Sequence, residues 1–211
     1  QMTETGVSYA NALADAQKQG FAEADPTNDV CGFDAARKLA ILSSIGFRAN
    51  ITFDDVLVEG IEKIDKSDIQ YAKDMGYTIK LLTVALRQEN GIALNVYPAF
   101  LPDNHPLSSV KGAYNAIYVT GNIVDDVMFY GRGAGALPTA SAVMGDVIST
   151  AQHILNGSTG TGMIMTDTKR IPFYSSLKLQ NSYYFRLDVD DVTGVLSQIA
   201  AAFAENDISI C

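Results

Sequence analysis

Over the first fifty positions apolar residues recur every three or four places, and from residue 77 the spacing tightens to alternate positions. The first period belongs to helices and the second to strands. Residues 9–19 carry Ala10, Leu13, Ala14 and Ala16 at helical spacing behind Ser8, a capping residue, and Gly20 ends the run. Residues 34–45 predict a second helix, opened by Gly32 and closed by Gly46, with Leu39, Ile41 and Leu42 facing a core. Between the two, residues 21–30 read as an acidic turn in which Pro26 prevents helix. Thr52, Asp54 and Asp55 predict a capped short helix around residues 56–60, and Ser67 with Asp68 caps another that ends at Gly76.

Residues 77–89 alternate around Ile79, Leu81, Leu82, Val84 and Leu86, Asn90-Gly91 is a preferred hairpin dipeptide, and residues 92–101 run back. Residues 98–106 are proline-rich and read as a rigid loop. Two further strand-like runs, 114–120 and 125–130, are joined through Gly121-Asn122. A Gly131-Arg132-Gly133-Ala134-Gly135 turn then opens an amphipathic helix that reaches about Leu155. Such a turn offers backbone N–H groups to an anion or lets a cofactor ring approach closely, and it serves as often merely to pack a helix on a sheet. Residues 156–162 are rich in Gly, Ser and Thr, and residues 166–180 lack a steady period, which places a linker there. The tail reads strand (183–189), turn (190–194), amphipathic helix (195–205) and a restarting strand at Ile208. The fold class is therefore α+β: a mixed β-sheet with helices packed on one face, followed by a partial βαβ unit.

Composition narrows the function. The 211 residues are 47% hydrophobic and 18% charged, ordinary for a soluble globular protein, and suffice for one sizeable core or one core plus a small appendage. No apolar run is long enough to span a membrane and no signal-like N-terminus is visible, so a cytoplasmic address is the default. A net charge of −9 without any Lys/Arg cluster argues against nucleic acid as a partner. Two cysteines, Cys31 and Cys211, and two histidines, His105 and His153, are too few and too scattered for a disulfide framework or a metal site, and no metal is expected.

The chemistry is concentrated in residues 20–42, GFAEADPTNDVCGFDAARKLAIL, which hold Glu23, Asp25, Asp29, Asp34 and Lys38. On a helix Asp34 and Lys38 share one face, an acid beside an amine; the same spacing also describes an ordinary surface pair worth a few tenths of a kcal/mol. The stretch closely resembles the catalytic segment of homoserine dehydrogenases, a Gly-Tyr/Phe-x-Glu-x-Asp-Pro turn followed by an Asp and by Gly-x-Asp-x-x-x-Lys. The phrase at residues 52–61, the Asn104-His105-Pro106-Leu107 turn and the Gly-x-Gly-Ala-Gly-x-x-x-Thr-Ala element ending at Ala140 resemble the same family. The tail resembles the first half of an ACT domain, with Tyr-Tyr-x-Arg-Leu at Tyr183, Gly-Val-Leu at Gly194 and Ile-Ser-Ile at Ile208; Thr193 stands where a proline is usual. About thirty residues supply half an ACT unit, so either the chain stops short at Cys211 or its edge pairs with another protomer.

The resemblance implies NADP- or NAD-dependent interconversion of L-homoserine and L-aspartate 4-semialdehyde in aspartate-family amino-acid biosynthesis. It implies Lys38 as proton donor and acceptor and Asp34 as its orienting or substrate-holding partner. Glu23 would bind the substrate ammonium, with Asp29 behind it, and Gly20 and Gly135 would lie against the cofactor. Cys31, where the family often has an acid or a polar residue, reads as a bystander. The resemblance further implies a homodimer paired through the strands of residues 114–130 and, if the ACT unit is complete, threonine as an effector. A Gly-x-Gly-x-x-Gly dinucleotide motif after a first strand is missing from these residues, so the nucleotide-binding domain is expected upstream and little turnover is expected without it. The domains on this reading are 1–166 catalytic and dimerisation, 167–181 linker and 182–211 ACT-like. The alternative is an amino-acid-binding regulatory or dimerisation module.

Overall fold

The computed structural model describes residues 2–133, 135–158, 171–174 and 179–210, in two compact units, Gln1–Leu179 and Gln180–Cys211. After a single turn α1 (Met2–Thr5), helix α2 (Tyr9–Lys18) starts at Ser8, whose Oγ accepts from the Asn11 N–H at 3.4 Å. Pro26 does not exclude helix from the acidic turn: it stands directly before the one-turn helix α3 (Thr27–Val30). A proline's fixed φ and missing donor cost nothing where a helix begins.

Helix α4 (Phe33–Phe47) starts after Gly32, whose φ of +79° and whose ideal Cβ position 3.0 Å from Val96 Cγ1 both call for glycine. Gly46 does not close it. The helix passes through Gly46 and ends on Arg48, which takes the left-handed conformation at φ +51° and donates its N–H to the Ser44 carbonyl. The glycine's interior cost of about 1 kcal/mol is outweighed by the packing of Phe47 and Ala49 beyond it, which join the core. The buried face is Ala36, Leu39, Ala40 and Ser43, whereas Ile41 and Leu42 are exposed, at 61% and 44%. Leu39 thus meets the core as expected, and the other two point away from it.

Thr52 and Asp55 form a capping box around a 3₁₀ turn, Phe53–Asp55, with Asp55 Oδ2 accepting from Thr52 N at 2.7 Å and from Thr52 Oγ1 at 2.8 Å. Residues 56–60 then run extended rather than helical. Leu57–Val58 form β1, paired in parallel with Asn95 and Val96. Helix α5 (Lys66–Asp74) is capped by Asp65, two residues before the expected start, with Asp68 Oδ2 accepting from the Asp65 N–H at 2.8 Å, and Gly76 follows its end at φ +79°.

Strands β2 (Tyr77–Gln88) and β3 (Gly91–Pro102) form the long hairpin, in register from Gln88↔Gly91 to Tyr77↔Pro102, so Glu89-Asn90 is the two-residue turn and Gly91 already belongs to the ladder. The sheet order is β1-β3-β2. β3 continues through Pro98 and Pro102, part of the expected loop. β1 covers only Asn95 and Val96 of the outer edge, which leaves Pro98 where its missing donor is not needed. The rigid turn is confined to the 3₁₀ turn Pro106–Ser109, where His105 Nδ1 accepts from the Leu107 N–H at 3.1 Å. On the edge shared with β1, Ile92 N donates to Pro172 O at 3.0 Å and Tyr174 N to Ile92 O at 2.8 Å, so a piece of the expected linker is hydrogen-bonded to the sheet.

Strands β4 (Tyr114–Gly121) and β5 (Asp125–Arg132) pair antiparallel as a separate ladder, and α6 (Ala136–Leu155) follows from Gly135. The core lies between α4 and the sheet, where Ile92, Leu94 and Val96 meet Ala36, Leu39 and Ala40, with Ala49, Ile51 and Val56 closing the edge. In the second unit α7 (Val195–Glu205) forms after Gly194. Among the described residues neither 183–189 nor 208–210 joins a sheet ladder, so the strands expected in the half ACT unit are not formed there. Within this unit the Phe185 ring lies 5.5 Å from the Phe203 ring of α7, centre to centre. The remaining linker residues, 159–170 and 175–178, lie outside the described residues.

Candidate active site

The acidic turn is built by its own hydrogen bonds. The Glu23 N–H donates to Asp29 Oδ2 at 3.3 Å, and the carbonyls of Glu23 and Ala24 accept from Gln17 Nε2 at 3.0 and 3.2 Å. The backbone of Glu23 is therefore held from both sides, which fixes where its carboxylate starts. Asp25 Oδ1 accepts from Thr27 N at 3.1 Å and from Thr27 Oγ1 at 2.6 Å, and these bonds hold the Asp25 carboxyl below its usual range.

At the head of α4, Lys38 Nζ stands 2.7 Å from Asp34 Oδ2, with side-chain exposures of 70% and 47%. The pair is open to water and charge-assisted. Arg37, between them in sequence, donates from Nη1 to Asn28 Oδ1 of α3 at 2.9 Å. Behind the turn, the Ile61 N–H donates to Val30 O at 2.9 Å, and a Cβ at Gly60 would come within 2.6 Å of Cys31 Cα. The Glu59 N–H donates to Val96 O at 2.7 Å. Residues 59–61 thus strap the acidic turn to β3, a role consistent with scaffold.

The Cys31 thiol donates to Glu62 Oε2 at 3.2 Å, and this bond, with desolvation and the charges of Glu62 and Asp25, pushes the thiol's pKa up. Desolvation and the same two groups, Glu62 and Cys31, raise the Tyr9 hydroxyl. Cys31 is held as a protonated thiol in an acidic setting, unsuited to nucleophilic work.

The structure joins Glu23 to Asp29 and Asp34 to Lys38; among the described residues no direct bond links the two pairs. Gly20 ends α2 at φ +73°, and a Cβ there would meet no atom within 4 Å, so a planar group can lie against its bare backbone. Gly135 caps α6 at φ +119°, its carbonyl accepting from the Thr139 N–H at 3.1 Å. Both glycines hold a positive φ that residues with a Cβ rarely adopt. Among the described residues no three His, Cys, Asp or Glu side chains are grouped to hold a metal ion, and no helix is long and apolar enough to cross a membrane. Gly60, Glu62, Asn28 and Arg37 were not legible as site neighbours. The phrase at residues 52–61 contains Gly60 and is its one signal; Glu62 lies just beyond it, and the Arg37–Asn28 bond leaves no trace in a one-dimensional pattern.

Fold and site together define an α+β domain in which an acid–amine pair on one helix stands beside an acidic turn. The residue pattern of homoserine dehydrogenase matches residues 1–148, and the chain belongs to that family. It is 43% identical to the homoserine dehydrogenase of Corynebacterium glutamicum over 214 residues, and 45% identical to that of Mycobacterium tuberculosis over 214 residues. In both cases the match covers 99% of this chain and 48% of the relative. The crystal structure of a homoserine dehydrogenase from Thiobacillus denitrificans superposes with a TM-score of 0.87 at 37% identity, covering 99% of this chain and 49% of that one. A hyperthermophilic archaeal homoserine dehydrogenase in complex with NADPH superposes at 0.55 and 28% identity, over 72% of this chain and 42% of its own. The chain spans about half the length of the curated relatives it matches.

Proposed function

We propose that this chain is the substrate half of an NADP- or NAD-dependent homoserine dehydrogenase that interconverts L-homoserine and L-aspartate 4-semialdehyde in aspartate-family amino-acid biosynthesis. The observation that carries the reading is the Asp34–Lys38 pair at 2.7 Å, standing in a chain of this family just beyond an acidic turn braced by Asp29. When bound, the nicotinamide cofactor accepts or supplies the hydride. Lys38 handles the proton: its ammonium protonates the alkoxide oxygen formed when the aldehyde is reduced, and its amine takes the hydroxyl proton when homoserine is oxidised. Its positive charge also stabilises the oxyanion, and water at this exposed nitrogen restores the proton balance. Asp34 holds the lysine in place by the ion pair. Glu23 takes the substrate ammonium, and Asp29 fixes the Glu23 backbone. Gly20 and Gly135 are assigned to the cofactor.

The domain assignment is 1–166 catalytic and dimerisation, 167–181 linker and 182–211 the start of an ACT-like regulatory unit, with threonine as its effector and the cytoplasm as its setting. A homodimer is supported by the exposure of Ile117, Val119 and Phe129 on β4 and β5, and by α6, which buries none of its residues.

The test is homoserine oxidation with NAD or NADP by the full-length enzyme carrying this chain, unmodified and as Lys38→Ala. Turnover by the unmodified enzyme, with a roughly hundredfold or greater loss of kcat in the folded variant, supports the proton-transfer role. An unmodified enzyme inactive with both cofactors, or a variant as fast as the parent, overturns it.

A further inference from the structure

Arg37 has no part in the chemistry assigned above, yet three elements meet at its side chain. Nη1 donates to Asn28 Oδ1 at 2.9 Å, and the guanidinium carbon lies 5.2 Å from the centre of the Phe53 ring. Phe53 packs on the core and is met edge-on by Phe33, ring centres 5.9 Å apart and planes at 82°. A guanidinium over an aromatic face is attracted by the ring's quadrupole, and its planar fork loses little freedom when it donates a hydrogen bond. Arg37 therefore ties α4, which carries Asp34 and Lys38, to α3, which carries Asn28 and Asp29. Asp29 in turn accepts the Glu23 N–H.

The geometry points to Arg37 as a positioning residue: through Asn28 it sets where the acidic turn stands relative to Lys38, and so where the ammonium end of an amino-acid substrate is held. This rests on the functional reading above. Its electrostatics work against a simpler explanation. A cation beside a site for an ammonium repels that ligand, so the charge of Arg37 by itself weakens binding, and deleting it should lower KM. Loss of a tie raises KM. The sign separates the two.

The experiment is steady-state homoserine oxidation by the full-length enzyme carrying this chain, unmodified and as Arg37→Met, Asn28→Ala and the double variant. Methionine keeps an unbranched chain over Phe53 without donor or charge, and Asn28→Ala removes the acceptor while leaving the charge. Each single change is expected to raise KM for homoserine about three- to tenfold, the range of one ordinary hydrogen bond, with kcat within about twofold. The double variant is expected to be no worse than either single one, because both remove the same link. A lowered KM in Arg37→Met, or effects that multiply in the double variant, overturns the tie. If Arg37→Met melts early, Asn28→Ala, at an exposed position of the one-turn helix α3, decides by itself. An unmodified enzyme that does not oxidise homoserine overturns the functional reading and this role with it. An active enzyme with unchanged KM in the variants overturns this role alone.

Discussion

Lys38 and Asp34 hold each other at 2.7 Å across one turn of α4 with most of the lysine side chain in water. An exposed pair of this kind contributes about 0–1 kcal/mol to stability, so its presence is poorly explained by folding alone.

Asp34→Asn should accordingly separate stability from activity. The melting temperature is expected to stay within about 3 °C of the parent, since a loss below about 1 kcal/mol moves a domain of this size by a few degrees at most. The kcat for homoserine oxidation is expected to fall by about tenfold or more, because the amine loses the charge that orients it. Thermal unfolding and steady-state kinetics on one preparation check both halves. A variant that melts early and keeps full kcat would make the pair structural.

Gly60 faces the Val30–Cys31 backbone so closely that an added methyl would overlap the Val30 carbonyl and sit 2.6 Å from Cys31 Cα. Backbone cannot swing aside as a flexible side chain can, and the Ile61–Val30 hydrogen bond holds the two strands of chain together. Gly60→Ala is expected to destabilise by about 1–3 kcal/mol, the range for overpacking, and to raise KM for homoserine by displacing the turn that carries Glu23 and Asp29. Denaturant titration measures the first, and kinetics the second.

Cys31 should alkylate slowly. Its thiol is pushed up by the bond to Glu62, by desolvation and by the nearby carboxylates, and the thiolate is the reactive species. Because the pKa is raised, the thiolate fraction at pH 7–8 lies below that of a free cysteine, and the rate should climb only at higher pH than for a model thiol. Glu62→Ala removes both the acceptor and the charge and is expected to speed iodoacetamide labelling several-fold at pH 8. Peptide mass spectrometry that reads Cys31 separately from Cys211 is the measurement, and equal rates with and without Glu62 would disprove the effect.

Local order in one dimension made part of this legible. The period-two run from Ile79 onward located the β2–β3 hairpin, and the Asn90-Gly91 pair marked its turn to within one residue, because alternation and turn chemistry are local properties. The spacing of Asp34 and Lys38 predicted their contact for the same reason. The acidic cap predicts helix over residues 56–60, yet Leu57–Val58 form β1, because Asn95 and Val96, 38 residues further on, offer a pairing that no local pattern announces. The cap of α5 shifted from Ser67 to Asp65 once Asp68 could reciprocate.

The amino-acid sequence by itself determined the α+β class, the helix that carries Asp34 and Lys38 with their contact, and the family resemblance that the matches bear out. These follow from residue types at short separations. Tertiary structure alone decided that Ile41 and Leu42 face outward while Ala36, Leu39 and Ala40 face the sheet, that Gly46 lies inside a helix, that Glu62 holds Cys31 protonated, and that Arg37 binds Asn28 over Phe53. Each depends on which surfaces meet, and burial and pairing are set by contacts between segments far apart along the chain, so no window of neighbouring residues contains them.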